Sequence, residues 1–399
     1  MRKTKGQNAI TLVALVVTII ILLILAGISI SALTQTGIFG KAKQAEQKSK
    51  EAQEQENATL GTYENEIDKY LEKNNGNDED KTKEKFTGKT VEEAIKYGNT
   101  LNATDNTELK DAKGNKIVVP AGFKIVSDDT TSNAQTVDKG IVVEDATVDD
   151  KGNPTATNGS QFVWIPVGKI TKADGTTTTI NLDRYTFDEN GKETAQGEKV
   201  IETYYQEQET SDKGNAVAKS ITDFKSSVTV NGGYYIGRYE ARTRTARNSE
   251  TDILTQVTEK GTDQVYNYVT QQQAANQTQD MYDNTHLFTS DLMNSYAWDT
   301  AILFIQNCTN QTKYSIQKSL NRGSLEKTGT TYDVQCNIFD MASNVYEWIT
   351  ETSSNSDASC VRRGGDYYNN YSCTSVRYNS SADFSNINIG FRPLLYVNV

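Results

Sequence analysis

The 399-residue chain reads as α+β: a long N-terminal helix that crosses a membrane and continues as a stalk, then a loop-rich mixed domain. Three observations predict it. An uncharged stretch over 10–33 follows Arg2, Lys3 and Lys5 and is long enough to span hydrocarbon. Residues 41–73 are rich in Lys, Glu, Gln and Ala, with opposite charges at i,i+3 and i,i+4 spacing. Beyond Phe86, short apolar runs alternate with Gly, Asn, Asp and Thr, as strands between turns do.

Composition narrows the function. A net charge of -11, from 41 basic against 52 acidic residues, provides no basic field for phosphates and argues against nucleic acid as a partner. The single histidine, His286, excludes a His-rich metal centre. Its neighbours Asp283 and Asp291 could orient it as a base, but no nucleophile motif accompanies it, so a surface or turn histidine is expected. Cys308, Cys336, Cys360 and Cys373 show no CxxC spacing, and their pairing cannot be read from the sequence.

In chain order, residues 1–9 are a basic leader, 10–33 the transmembrane helix, 34–73 a stalk helix bent near Gly61, and 74–85 a charged linker. The domain follows over 86–399. Basic residues before the apolar stretch keep the leader cytoplasmic and place the remainder outside a single-pass cell membrane. The opening resembles the leader of type IV pilins and pseudopilins, with candidate junctions at Gly6 before Gln7 or Ala9 before Ile10. The pilin glutamate at the fifth mature position is replaced by Thr11 or Ala14. Pilus association is what that resemblance implies.

Within the domain, strands are expected in 117–126, 140–145, 161–167, 232–242 and 392–399, and helices in 90–96 and 295–307. Residues 169–200 read as an inserted hairpin or mobile loop, and 243–279 as a polar, Gln-rich insertion.

Four stretches stand in a fixed order: QFVWIPV (161–167), GGYYIGRYE (232–240), NIFDMASNVYEW (337–348), and RRGG (362–365) with NIGFR (388–392). Together they resemble the formylglycine-generating enzyme (sulfatase-modifying factor) family, a loop-rich variant of the C-type lectin fold, over about 115–399. The resemblance implies structural roles for Arg238, Arg363 and Arg392. It also implies a calcium loop, with ligands from the side chains of Asp340 and Glu347 and the carbonyls of Ser343 and Val345; the alternative pairs Glu347 with a core arginine. The oxidases of that family bind copper through two cysteines, and the matching positions here are Asn369 and Thr374. Cys373 is one place off and has no partner nearby, so no copper site and no enzymatic activity are expected.

After Glu351 the chain contains no Lys, Glu, Gln, Met, Trp or His, although Lys, Glu and Gln make up 77 of the first 351 residues. At that rate about ten would be expected in the remainder. Lys, Glu, Gln, Met and Trp have codons ending in purines, and what remains is what adenine mutagenesis of AAY codons leaves behind. The tail therefore resembles the variable proteins of diversity-generating retroelements, with a variable segment over 366–388. Tyr368, Asn369, Asn370, Tyr371, Tyr378, Asn379, Asp383 and Asn386 are the expected ligand contacts. Tyrosine supplies contact area at low entropy cost, and Asn and Asp supply adaptable hydrogen bonds. The expected partner is a protein or glycan on another cell, phage or host surface. The competing readings are an oxidase on the same scaffold and a structural minor pilin with a lectin-like tip.

Overall fold

Alternation along the apolar runs decides which face each strand buries, and the runs assemble into two larger sheets. The computed structural model describes residues 85–399 apart from 127–134, 198–204, 208–214, 246–251, 253, 255, 262–264, 320–322, 356 and 370. The strands of the two larger sheets are β1 (Phe123–Val126), β2 (Val142–Asp145), β3 (Gln161–Pro166), β4 (Tyr205–Glu207), β5 (Gly233–Gly237), β6 (Phe288–Leu292), β7 (Tyr346–Ser353), β8 (Cys360–Arg363), β9 (Arg377–Ser380), β10 (Ile389–Gly390) and β11 (Pro393–Val397).

The first sheet runs β6-β11-β5-β3-β2-β1, antiparallel throughout. The second runs β4-β7-β8-β9, and β10 pairs with β7 in parallel. Only Phe391 and Arg392 separate β10 from β11, so the GFR motif is where the chain passes from one sheet to the other. Arg392 pins that passage. Its guanidinium donates to both Glu347 oxygens on β7, to the Gly237 carbonyl on β5 at 3.0 Å, and to the Phe339 carbonyl at 2.8 Å.

Four α-helices occur among the described residues: α1 (Val91–Tyr97), α2 (Ile221–Asn231), α3 (Gln271–Gln279) and α4 (Ser295–Cys308). Thr90 and Glu93 close a capping box on α1. Helix α4 is buried almost all round and forms the centre of the main core with Trp164, Tyr234 and Leu394. Neither α2 nor α3 is apparent from periodicity. The β-branched VTV of α2 favours strand, yet the Ser220 cap, the left-handed Gly232 and burial of Ile221, Phe224 and Val228 make it helical. The Gln-rich α3 is delimited by a Thr270–Gln273 capping box, inside the stretch expected to be an insertion. The insertion over 169–200 contains two hairpins, Gly168–Thr171 with Thr177–Ile180 and Tyr185–Phe187 with Glu193–Ala195.

Two expectations are corrected. The α+β architecture built on a long N-terminal helix is replaced by a mostly sheet fold with four short helices, of which the longest has 14 residues. Single-pass membrane placement is likewise overturned, because among the described residues no helix is long and apolar enough to cross a membrane. Among the described residues the hydrophobic mass lies in a core of sheets and one buried helix. The stretches 10–33 and 34–73, on which both expectations rested, lie outside the described residues.

Candidate recognition face

The site is built outward from β8. In a strand successive side chains take opposite faces, so Arg362 and Arg363 part company. Arg363 enters the main core: its Nη2 lies 2.5 Å from Asp299 Oδ1, its Nε donates to the Val376 carbonyl at 2.8 Å, and its guanidinium sits 5.7 Å from the Trp298 ring. Arg377, opposite Arg363 on β9, bridges Asp299 at 2.5 Å and Glu351 at 2.8 Å, and Arg184 reaches Glu351 at 2.6 Å. Burial pushes the Asp299 carboxyl up, but Arg363 and Arg377 outweigh it and hold the group below the usual carboxylate range.

Gly364 and Gly365 then turn the chain out. Gly364 has φ +82°, and a Cβ on Gly365 would stand 2.2 Å from the Ala342 carbonyl oxygen. Asp366 follows, buried, and its carboxylate clamps the two ends of the 366–388 segment. It accepts from the Asn369 backbone N–H at 2.9 Å, from Asn369 Nδ2 at 3.1 Å and from Asn388 Nδ2 at 2.5 Å. From this clamp Tyr368 and Tyr371 project, 78% and 84% exposed. Ser372 turns back inward, and its hydroxyl bonds that of Tyr346 on β7.

The expected contact residues take different stations. Tyr368, Tyr371 and Asp383 are exposed; Asn369, Tyr378, Asn379 and Asn386 are half-buried; Asn370 lies outside the described residues. Asn369 Nδ2 also reaches the Tyr346 hydroxyl at 3.4 Å. Asp383 accepts from Ser381 Oγ at 2.6 Å, and the Asn386 carbonyl accepts from the Tyr268 N–H at 3.1 Å. Tyr378 and Asn379 are neighbours on β9 and so face opposite ways. Tyr378 packs edge-on against Tyr346, with ring centroids 5.4 Å apart, whereas Asn379 pairs in register with Val361.

Arg362, Tyr346, Phe384, Asp366 and Asn388 belong to the same face and were not picked from the sequence. The guanidinium carbon of Arg362 lies 4.7 Å from the Tyr346 ring, 5.2 Å from Phe384 and 5.7 Å from Tyr378. The available signal was the doubled arginine itself, since two adjacent strand arginines cannot both enter one core.

The donor set expected for calcium does not fit that ion in this arrangement. Glu347 commits both oxygens to Arg392, and Asp340 accepts from the Thr331 hydroxyl and the Gly329 N–H. Burial first, then neighbouring acids, pushes the Asp340 carboxyl up to about 7 and the Glu240 carboxyl well above its ordinary value. Among the described residues no group of three or more His, Cys, Asp or Glu could hold a metal. Arg238 meets Gln161 Oε1 at 2.6 Å, so the three motif arginines are tied to oxygen acceptors.

All four cysteines are free. Burial pushes Cys308 and Cys360 up to about 12 and Cys336 well above the usual thiol value. Cys373 is half-buried, with Sγ 3.8 Å from Ser375 Oγ. At the oxidase positions stand Asn369, held by Asp366, and Thr374, whose hydroxyl donates to the Tyr314 carbonyl at 2.7 Å. His286 is exposed, and Asp291 is turned away to Lys219, Gln279 and its own neighbour Leu292. A cleft of about 590 Å³, lined among others by Thr147, Gln256, Met281 and Phe288, has neither cysteine nor histidine in its wall.

Comparison with known proteins gives a partial family match. Residues 267–395 match the sulfatase-modifying factor enzyme 1-like domain family. That span holds β6 to β10, the first three residues of β11 and both glycine-arginine motifs of the face. No curated protein matches. Among solved structures, the Major Tropism Determinant I1 variant aligns at 14% identity and TM-score 0.26, covering 79% of this chain and 99% of that one. The M1 variant aligns at 13% identity and TM-score 0.26, with the same coverage. The pilin-leader resemblance gains no support, since the family match begins at 267.

Proposed function

We propose that the chain is a ligand-binding protein that recognises a protein or glycan on another cell, phage or host surface through the loops of 366–388. The observation that carries this reading is the pair of outward tyrosines, Tyr368 and Tyr371, on a loop whose ends are clamped together by the buried Asp366. Contact rings held on a fixed loop lose little entropy on binding, which is how rigid paratopes gain affinity. The absence of Lys, Glu, Gln, Met, Trp and His after Glu351 supports diversification of this segment by a retroelement. The reading routes nothing through copper or calcium.

The test is retention of the full chain on arrays of surface proteins and glycans, alongside the double variant Tyr368→Ala/Tyr371→Ala. Loss of affinity of about tenfold or more, with unchanged thermal unfolding, is expected for the variant. Equal retention of both chains would remove the face from the reading. A second reading, a formylglycine-forming oxidase, is favoured by the family match at 267–395. Conversion of a cysteine peptide by the copper-treated chain, abolished by Cys373→Ser, would establish that reading in place of the first.

A further inference from the structure

We infer that Arg362 is the anchor of the recognition face and takes the carboxylate of an acidic side chain presented by a protein ligand; this rests on the ligand-binding reading above. The guanidinium of its neighbour Arg363 is held by Asp299 and two carbonyls, but that of Arg362 makes no hydrogen bond or ion pair among the described residues. Its Nε is buried without a partner. A half-buried guanidinium with unmet donors is costly to keep in an unliganded face. The Tyr346, Phe384 and Tyr378 rings offset part of that cost through their π faces and leave the outer Nη donors for another molecule.

The surroundings specify what that molecule offers. The nearby acid is Asp366, and its carboxylate is already engaged by Asn369 and Asn388, so it does not compete for Arg362. Tyr346 joins the cage to the rim, because its hydroxyl meets Ser372, next to Tyr371, and lies 3.4 Å from Asn369 Nδ2. A planar carboxylate matches the fork of one guanidinium. The chain's net charge of -11 repels polyanions at long range, which favours a single acid over a nucleic acid or a polysulfated chain. Because Arg362 is recessed, a slender Asp or Glu side chain reaches it where a carboxylate fixed to a sugar ring brings the ring with it. Arg362 also lies outside 366–388, whereas Tyr378 and Phe384 lie within it. The anchor is therefore constant while two walls of its cage belong to the variable segment.

The experiment follows the side-chain Nε–Hε resonance of Arg362 in the full chain labelled with ¹⁵N-arginine, assigned by its disappearance in Arg362→Lys and, as a second variant, Arg362→Gln. The probes are N-acetyl-Gly-Glu-Gly-amide, its Gln counterpart, N-acetylneuraminic acid and inorganic sulfate. A saturable shift with the Glu peptide, weaker by about tenfold or more with the other three, is expected. No shift with the Glu peptide, or an equal shift with the Gln peptide, overturns the inference. A stronger response to the sugar acid assigns the anchor to glycans instead, and an equal response to sulfate reduces it to a simple anion site; both also overturn it. If the Tyr368/Tyr371 double variant loses ligand while the Arg362 resonance stays silent, the anchor falls and the ligand-binding reading stands.

Discussion

At the residue scale, adjacent arginines have opposite fates because a strand reverses direction at every side chain. Arg363 and Arg377 share Asp299 in the core, so Asp299→Asn removes one of the carboxylates that compensate two buried guanidinium groups and leaves Glu351 as their remaining acid. A loss of about 3–5 kcal/mol is expected, read as a lower denaturant midpoint. Arg362→Gln gives up ring contacts alone and should cost about 1 kcal/mol in the same measurement. A cost as large as that of Asp299→Asn would show that Arg362 is a structural pin. Burial pushes the Asp291 carboxyl up to about 6 from an ordinary 3.8, despite hydrogen bonds from Gln279, Lys219 and Leu292. A carboxyl that holds its proton more tightly when folded stabilises the fold fully below about pH 3.8, and that contribution is lost as pH rises to about 6. Two pKa units correspond to about 3 kcal/mol. Asp291→Asn should therefore flatten the fall in unfolding midpoint between pH 4 and 6.

At the element scale, termini decide more than interiors. Helix α4 starts where the Asn294 side chain accepts the Ala297 N–H at 2.9 Å, and Asn294→Ala should cost about 1 kcal/mol in chemical denaturation. The turn after β8 is less forgiving. Gly365→Ala drives a methyl group into the Ala342 carbonyl, so either the 341–342 loop or the exit toward Asp366 must move. Weaker ligand retention together with a lower thermal midpoint is expected; retention unchanged would mean that the face tolerates displacement of its base. Helices α1 and α4 and five strands of the first sheet, β1, β2, β3, β5 and β11, were readable because capping residues or apolar spacing mark them, whereas β6 and the strands of the second sheet were not. Helices α2 and α3 were not, because β-branched and Gln-rich segments became helical only once caps and burial outweighed their local preference.

At the scale of the whole molecule, Arg392 ties β7 to β5 across the junction of the two sheets, and the proposed recognition face stands on the second sheet. Arg392→Lys keeps the charge but loses the fork that reaches both Glu347 oxygens and two carbonyls. Lower thermal stability and weaker ligand retention together are expected, because the sheet that carries the loops loses its tether to the other. The membrane-spanning architecture read from the N-terminal pattern did not survive, since the helices of the described residues are short and serve the sheets.

By itself the amino-acid order determined most strand runs of the first sheet, the arginine and glycine motifs and the skewed composition of the tail, all of them local in pattern. It singled out Tyr368 and Tyr371, which the fold leaves exposed. Only the tertiary structure decided that Glu347 belongs to Arg392, that Asp366 reaches across 22 positions to Asn388, and that Arg362 sits among three rings. Those pairings join residues distant in the chain, and such contacts are selected by burial and charge compensation after the sheets have formed.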